Sequence, residues 1–331
     1  MTVNKDILKL LKKTGAICED SKPTEFVSTG SYALNFAMAG SFLKGAPCPG
    51  VIEFSGESST AKTVFLAHIF REAQKCGWYT KLEDAETTWN DDFARSLGVN
   101  PEELLKNQPY TIETAFQSME DTILAIREID KETPIVIGLD SLAVLPSDKE
   151  DEGSYNQAET MGMIRAKATG GCLRKIHKLA KQHHVLFVII NQIRKKMVMY
   201  GSPDTRAAGG NALEFYLSCA FKTVSTKNEK TGSIITNEQG KAIGIRGTLK
   251  NTKNKLASPF MECGFELYFD KGLSEFYGLA EILEIEGITE REKGSQWTTY
   301  NGKKFRAKDI EKHILDKDCK EFDPLREMLG L

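Results

Sequence analysis

The stretch Ile52-Glu-Phe-Ser-Gly-Glu-Ser-Ser-Thr-Ala-Lys-Thr63 decides the fold. A short apolar run ends in a loop of small residues, and a helix-forming sequence begins directly after it. Gly56, Lys62 and Thr63 stand at the spacing of a phosphate-binding loop, which needs bare backbone N–H groups and one mobile ammonium. Gly56, Glu57, Ser58, Ser59, Thr60 and Ala61 would wrap the β-phosphate. Lys62 would reach the β- and γ-phosphates, and the Thr63 hydroxyl would ligand Mg²⁺. The expected ligand is a nucleoside triphosphate. Ala61 holds the place of the usual second glycine, at a steric cost if that residue must adopt φ > 0.

Outward from this loop, apolar runs alternate with helical segments from about residue 24 to 270, the pattern of an α/β protein. Strands are expected at Val51–Ser55, Tyr79–Glu83, Ile135–Asp140 and Val185–Asn191. Helices are expected at about Lys62–Cys76, Thr114–Lys131 and Thr160–Lys181. After residue 211 strand-like stretches follow at Ala220–Ser225, Ala242–Asn251 and Pro259–Leu267, with a polar hairpin excursion over 226–240. Glycines punctuate the chain from about 272, where short helices and a Trp297–Arg306 hairpin suggest a small C-terminal domain. Residues 3–13 form an amphipathic helix too short to be stable alone, suited to a neighbouring protomer or to its own core. The expected divisions are 1–23, 24–270 and 271–331.

With 331 residues, 40% of them hydrophobic and 27% charged, and a net charge of −2, the chain reads as an ordinary soluble protein. Nucleic acid would have to meet local basic surface and not a global field. Seven cysteines without a Cys-x-x-Cys pair argue for reduced thiols and against a zinc site or disulfide framework. No signal core or membrane-length apolar run is present, which gives a cytoplasmic expectation with no membrane partner. The five histidines form no metal spacing, and helix-surface roles suffice for them.

Three strand ends carry the remaining chemistry. Asp140 closes an apolar strand where an open α/β sheet binds its ligand, and would hold Mg²⁺ together with Thr63. Glu86, just past the strand Tyr79–Glu83, is placed to polarise a water in line with the γ-phosphate; alternation puts it on one face with Asp84. Gln192 would hydrogen-bond the γ-phosphate and so distinguish ATP from ADP. The long glycine-rich stretch after it carries Arg194, Lys195, Lys196 and Arg206 against only Asp204. With Tyr200 and the backbone amides, those cations suit a phosphodiester chain. A second connection, about 146–160, is acidic at first. Met161, Met163, Arg165 and Lys167 follow, the methionines read as core and the cations as contacts for nucleic acid. Lys253 and Lys255, two apart on a strand, point to one face, toward nucleic acid, a neighbour's carboxylate or a phosphate.

In this order the pieces resemble the bacterial RecA recombinase family, including phage-encoded relatives. The matches are Ser28–Ser31, the loop 56–63, Asp84-Ala-Glu86, Leu139-Asp-Ser141, Asn191-Gln-Ile-Arg194, Gly209-Gly-Asn-Ala-Leu213 and Lys253-Asn-Lys255. The likeness spans about residues 24–310. It implies a RecA-type P-loop ATPase core with a mostly parallel central sheet, a short N-terminal helix and a small C-terminal α+β domain. It further implies a DNA-dependent ATPase that forms a helical filament on single-stranded DNA and promotes pairing and strand exchange with homologous double-stranded DNA. ATP and Mg²⁺ would lie between protomers, with single-strand-binding and mediator proteins as further partners. The resemblance assigns water activation to Glu86 and γ-phosphate sensing to Gln192. Phe93 would stack on adenine, with Asn90 where the family often has aspartate. Loops near 148–160 and 193–210, the latter including Gly209, Gly210 and Asn211, would line DNA. Lys253 and Lys255 would reach the neighbour's triphosphate. Glu214 stands where a lysine is usual. Two other readings stay open: a hexameric ring helicase or translocase on the same core, and a nucleotide-binding regulator.

Overall fold

The computed structural model of the chain describes residues 22–58, 60–152, 158–193, 210–224, 234–292 and 294–331, without the side chains of 158–161 and 210–212. The expected helix at 3–13 and most of the excursion at 226–240 lie outside them. In chain order the first elements are β1 (Glu25–Val27), α1 (Tyr32–Ala39), β2 (Ala46–Cys48), β3 (Gly50–Gly56), α2 (Lys62–Lys75) and β4 (Tyr79–Asp84). Next come α3 (Asp91–Ser96), β5 (Leu104–Asn107), α4 (Ile112–Ile129), β6 (Ile135–Asp140), α5 (Asp148–Asp151), α6 (Ala158–His183) and β7 (Val185–Gln192). The chain continues through α7 (Gly210–Tyr216), β8 (Cys219–Val224), β9 (Ile234–Thr236), β10 (Ala242–Asn254), β11 (Glu262–Tyr268) and β12 (Gly272–Leu273). It closes with α8 (Leu279–Ile285), β13 (Glu290–Arg291), β14 (Trp297–Tyr300), β15 (Lys303–Arg306), α9 (Ile310–Leu315) and α10 (Asp323–Leu329).

The central sheet runs β12-β11-β10-β8-β3-β7-β6-β4-β5, with β9 beside β10. From β8 to β5 every pairing is parallel; from β8 outward through β10, β11 and β12 the pairings are antiparallel. Strands buried on both faces carry the near-continuous apolar runs seen in β6 and β7. Alternation then sends their side chains to two cores. Ile52 and Phe54 of β3 meet Phe65 of α2, Phe221 and Phe265 on one side. Val51 joins Ile137, Phe187, Ile189 and the helices α4 and α6 on the other.

Helix α4 follows from its sequence. Thr111 caps it by accepting from Thr114 N at 3.2 Å, and Ile112, Ala115, Phe116, Met119 and Ile123 fall on one buried stripe. Helix α2 packs so close to the sheet that a Cβ on Gly138 of β6 would stand 2.5 Å from Leu66 Cδ1. The C-terminal segment adds an antiparallel sheet, β13-β14-β15, with Phe305 and Phe322 packed edge-on at 5.3 Å between ring centroids. It is the hairpin expected at Trp297–Arg306, closed at Tyr300↔Lys303.

Two expectations are corrected. Met163 is not core but 76% exposed, because the α6 stripe that faces the sheet begins at Thr169 and continues through Leu173 and Ile176. His68 is not a surface residue: it is fully buried on the face of α2 that packs on β12, where its Nε2 accepts from Leu273 N at 3.1 Å. Burial lowers its pKa to about 3, assisted by Arg71 and Lys75.

Candidate nucleotide site and its sensor

The parallel order β8-β3-β7-β6-β4 brings the C-terminal ends of four strands side by side, and each ends in a residue singled out above. After β3 the loop turns into α2 through Ala61, whose φ of 65° and ψ of 12° lie in the left-handed region. The carbonyl of Ala61 accepts from Val64 N at 3.0 Å and Phe65 N at 3.1 Å, so this residue starts the helix. The alanine thus sits where glycine would be unstrained.

The loop rests on itself. Lys62, 7% exposed, donates from Nζ to the Glu57 carbonyl at 2.6 Å. Thr60 Oγ1 donates to the same carbonyl at 2.8 Å and lies 2.7 Å from Thr223 Oγ1 on β8. Thr223 Oγ1 also donates to the Ser55 carbonyl at 3.2 Å. Gly56 is required here, since a Cβ on it would stand 1.7 Å from that hydroxyl. Burial lowers the Lys62 pKa, while Asp140 and Glu86 pull it back up.

Thr63 Oγ1 donates to Asp140 Oδ2 at 2.5 Å. A hydroxyl and a carboxylate are hard oxygen donors of the kind Mg²⁺ takes beside phosphate and water. No cluster of three or more histidine, cysteine or acidic residues suited to a metal occurs among the described residues, so a magnesium here would rely on those two and the nucleotide. Burial raises the Asp140 pKa to about 6, with Glu86 and Asp84 adding to the rise and the Thr63 hydrogen bond and Lys62 opposing it. A dication would restore the ionised form.

Glu86 sits just beyond β4, and strand alternation stops at Asp84. The two carboxylates therefore do different things. Asp84 turns into its own loop, accepting from Thr88 N at 3.2 Å and Trp89 N at 3.1 Å. Glu86 turns to the sheet centre, where its Oε1 accepts from Ser141 Oγ at 2.5 Å and Gln192 Nε2 at 2.6 Å. Sequence reading did not foresee Ser141, Thr223 or Asn191 as parts of this site. Their only signal was a polar residue among apolar neighbours at a strand end or within a buried strand.

Asn90 caps α3 by accepting from Phe93 N at 2.8 Å, which accounts for its type locally. Phe93 is 41% exposed on that helix. Beside it an open cavity of about 640 Å³ is lined by Asp84, Trp89, Asn90, Lys106 and Asn107, without the phosphate loop. Lys253 Nζ donates to the Glu214 carbonyl and Lys255 Nζ to the Phe215 carbonyl at 3.2 Å, both at the end of α7. They share a face as expected, although a bulge between Asn251 and Lys253 breaks the pairing with β8. Arg165 Nε donates to Glu150 Oε2 at 3.0 Å, tying α6 to α5, while Lys167 is exposed. Ser59, Arg194, Lys195, Lys196, Tyr200, Arg206 and Gly209 lie outside the described residues. Of Gly210 and Asn211 only their place in α7 is described.

An α/β protein with a small-residue loop leading into a helix, and with a carboxylate, an amide and a hydroxyl–carboxylate pair at adjacent strand ends, is the class this geometry defines. Residues 6–274 match the family described as RecA N-terminal domain. The chain is similar to Protein RecA of Methylobacterium radiotolerans, 36% identical over 284 residues that cover 85% of this chain and 72% of that protein. It is also similar to Protein RecA of Thioalkalivibrio sulfidiphilus, at 34% over 288 residues, 86% of this chain and 77% of the relative. Protein RecA of Brucella canis is 34% identical over 282 residues, 85% and 72% of the two chains. The chain belongs to the RecA family. With that come the family's fold and its general function, ATP-dependent DNA recombination and repair. Among the described residues no helix is long and apolar enough to cross a membrane.

Proposed function

We propose that this chain is a DNA-dependent ATPase that assembles as a filament on single-stranded DNA and promotes homologous pairing and strand exchange. One observation carries this reading: the donor that would sense the γ-phosphate, Gln192 Nε2, is held 2.6 Å from the carboxylate that would activate water, Glu86. The N–H of Gln192 that points at Glu86 is not available to a γ-phosphate. With ATP bound, Gln192 turns to the phosphate and Glu86 keeps the Ser141 hydroxyl as its anchor, free to orient a water. Lys62 leaves the Glu57 carbonyl for the β- and γ-phosphates. Mg²⁺ at Thr63 and Asp140 supplies charge neutralisation at the phosphates. Phe93 offers an exposed ring for the base, next to Asn90.

Ile193, between Gln192 and the segment 194–209, donates its N–H to the Gly56 carbonyl at 3.0 Å, so the start of that basic stretch is tied to the phosphate loop. Its cations and Tyr200, with Arg165 and Lys167 of α6 and the start of α7, are assigned to the phosphodiester backbone. Homology is then read by base pairing and not by side chains. Lys253 and Lys255 are assigned to the neighbouring protomer's triphosphate, released from the α7 carbonyls on assembly. In that case the division of labour is 1–23 for protomer contact, 24–270 for ATP and DNA, and 271–331 as an accessory domain.

The test is phosphate release with and without single-stranded DNA, together with electron microscopy of the protein on DNA with a non-hydrolysable ATP analogue. DNA-stimulated turnover that disappears in Lys62→Ala, and open filaments, support the reading. Closed rings would instead select the helicase class. Absence of any DNA stimulation would select a regulator.

A further inference from the structure

An ionised carboxylate inside a buried parallel strand is costly unless something uses it. Glu53 is 6% exposed, between Ile52 and Phe54 at the centre of the sheet, and no role described so far involves it. Its Oε1 accepts from Asn191 Nδ2 at 2.9 Å. Asn191, fully buried, accepts at Oδ1 from the Gln192 backbone N–H at 3.0 Å. Gln192 in turn donates from Nε2 to Glu86. A continuous line of hydrogen bonds thus runs from the interior of β3 to the strand end where the sensor sits.

We propose that Glu53 is a positioning residue for Gln192, acting by fixing which end of the Asn191 amide faces the Gln192 backbone. An ionised carboxylate only accepts, so Asn191 must turn its NH₂ toward Glu53 and leave its oxygen for the Gln192 N–H. A neutral group at position 53 both donates and accepts, and lets the Asn191 amide turn over. The Gln192 N–H then loses its acceptor, and the Gln192 side chain loses its fixed direction. The inference rests on the reading of Gln192 as the nucleotide sensor.

The surroundings of Glu53 agree with a carboxylate close to its titration point. It shares its sheet face with Lys222 of β8, across from Ser55, and it feels the carboxylate of Glu214 on α7. The stripe of α6 against this face, Thr169, Leu173 and Ile176, is uncharged. Burial raises the Glu53 pKa to about 7, the Asn191 hydrogen bond opposing and Glu214 adding to the rise.

The experiment measures affinity for a fluorescent oligothymidylate with a non-hydrolysable ATP analogue and with ADP, at pH 8 and pH 6, using the whole chain and Glu53→Gln. The readout is the ratio of the two affinities, with nucleotide affinity measured alongside. In the parent this ratio should fall at least about fivefold, a typical coupling step, from pH 8 to pH 6. In Glu53→Gln, nearly isosteric and permanently neutral, the ratio at pH 8 should match the parent's value at pH 6 and stay flat, with nucleotide affinity unchanged. A Glu53→Gln protein that keeps the parent's ratio and its pH slope overturns the inference while leaving the sensor reading intact. A parent with a ratio near one at both pH values overturns the sensor reading, and this inference with it.

Discussion

Replacing Ala61 by glycine should stabilise the free protein. Ala61 holds φ 65° and ψ 12°, and its carbonyl accepts the first bonds of α2. A residue with a Cβ loses about 1–2 kcal/mol in that region relative to glycine. Glycine offsets part of the gain, because its unfolded chain is freer by about 0.4–1 kcal/mol. The net is roughly 0.5–1 kcal/mol in favour of Ala61→Gly. For a chain larger than 250 residues that corresponds to a rise of only about 1–2 °C in the melting midpoint. Paired calorimetric scans resolve such a shift, and Ala61→Val sharpens the comparison. Its β-branch crowds the left-handed region further, so its midpoint should fall below the parent's. Because the left-handed residue supplies the carbonyl that starts α2, its strain belongs to the fold, and nucleotide affinity should stay the same in Ala61→Gly. The reasoning fails if Ala61→Gly melts with the parent while binding nucleotide about 2- to 5-fold more tightly, the equivalent of 0.5–1 kcal/mol. That outcome would mean the left-handed turn forms only when the phosphates arrive.

Asp140→Asn should leave nucleotide binding without magnesium unchanged and reduce magnesium-dependent turnover by about 100-fold or more, read as phosphate release across a magnesium titration. The Thr60 and Thr223 hydroxyls, 2.7 Å apart, should couple by about 0.5–1 kcal/mol in a double-mutant cycle of Thr60→Val and Thr223→Val followed by denaturant melts. Additive effects would show that the two hydroxyls do not hold the loop to β8. His68 is buried neutral with its pKa lowered from 6.5 to about 3, so its contribution to stability is complete above pH 6.5 and is lost as pH falls toward 3. The expected slope is about 1.4 kcal/mol per pH unit in that window. His68→Gln, which keeps an acceptor for Leu273 N, should flatten the profile in acid unfolding monitored by circular dichroism.

Where a local rule governed the chain, the sequence was enough. The apolar runs of β6 and β7 sit where their composition put them, and the hairpin at 297–306 closes at Asn301 and Gly302, both with positive φ. The phosphate loop was legible because its spacing is dictated by the ligand. Side-chain destinations were less so. Glu86 and Asp84 looked like strand neighbours, but β4 ends at Asp84 and the turn that follows, closed by Thr87 N donating to the Asp84 carbonyl at 3.3 Å, sends the two carboxylates apart. Met163 looked like core because methionine packs readily into apolar gaps, yet the buried stripe of α6 begins only at Thr169. His68 was hidden for a different reason: its partner, Leu273, is 205 residues away, and no local pattern reports so distant a contact. Thr223 and Asn191 belong to this class too, since each is defined by a strand that becomes its neighbour only when the sheet forms.

The strand order is the reason to assign the proposed sensing to β7. This strand lies between β3, which carries the phosphate loop, and β6, which carries Asp140 and Ser141. Gln192 at its end is thus the strand-end residue paired with Gly56 on one side and hydrogen-bonded to Glu86 on the other. A side chain on β4 would be a strand further from the phosphates, and one on β8 would be cut off from Glu86 by β3 and β7. The chain that continues from β7 is also the basic stretch 194–209, which returns through α7 to β8, the other neighbour of β3. The start of that stretch is consequently tied to the strand that carries the phosphate loop through Asn191 and Glu53, while Thr223, at the far end of β8, ties that strand to Thr60. On the proposed reading a change in the loop would reach the stretch through β7, which is the physical basis for expecting nucleotide and polynucleotide to be bound as one linked event.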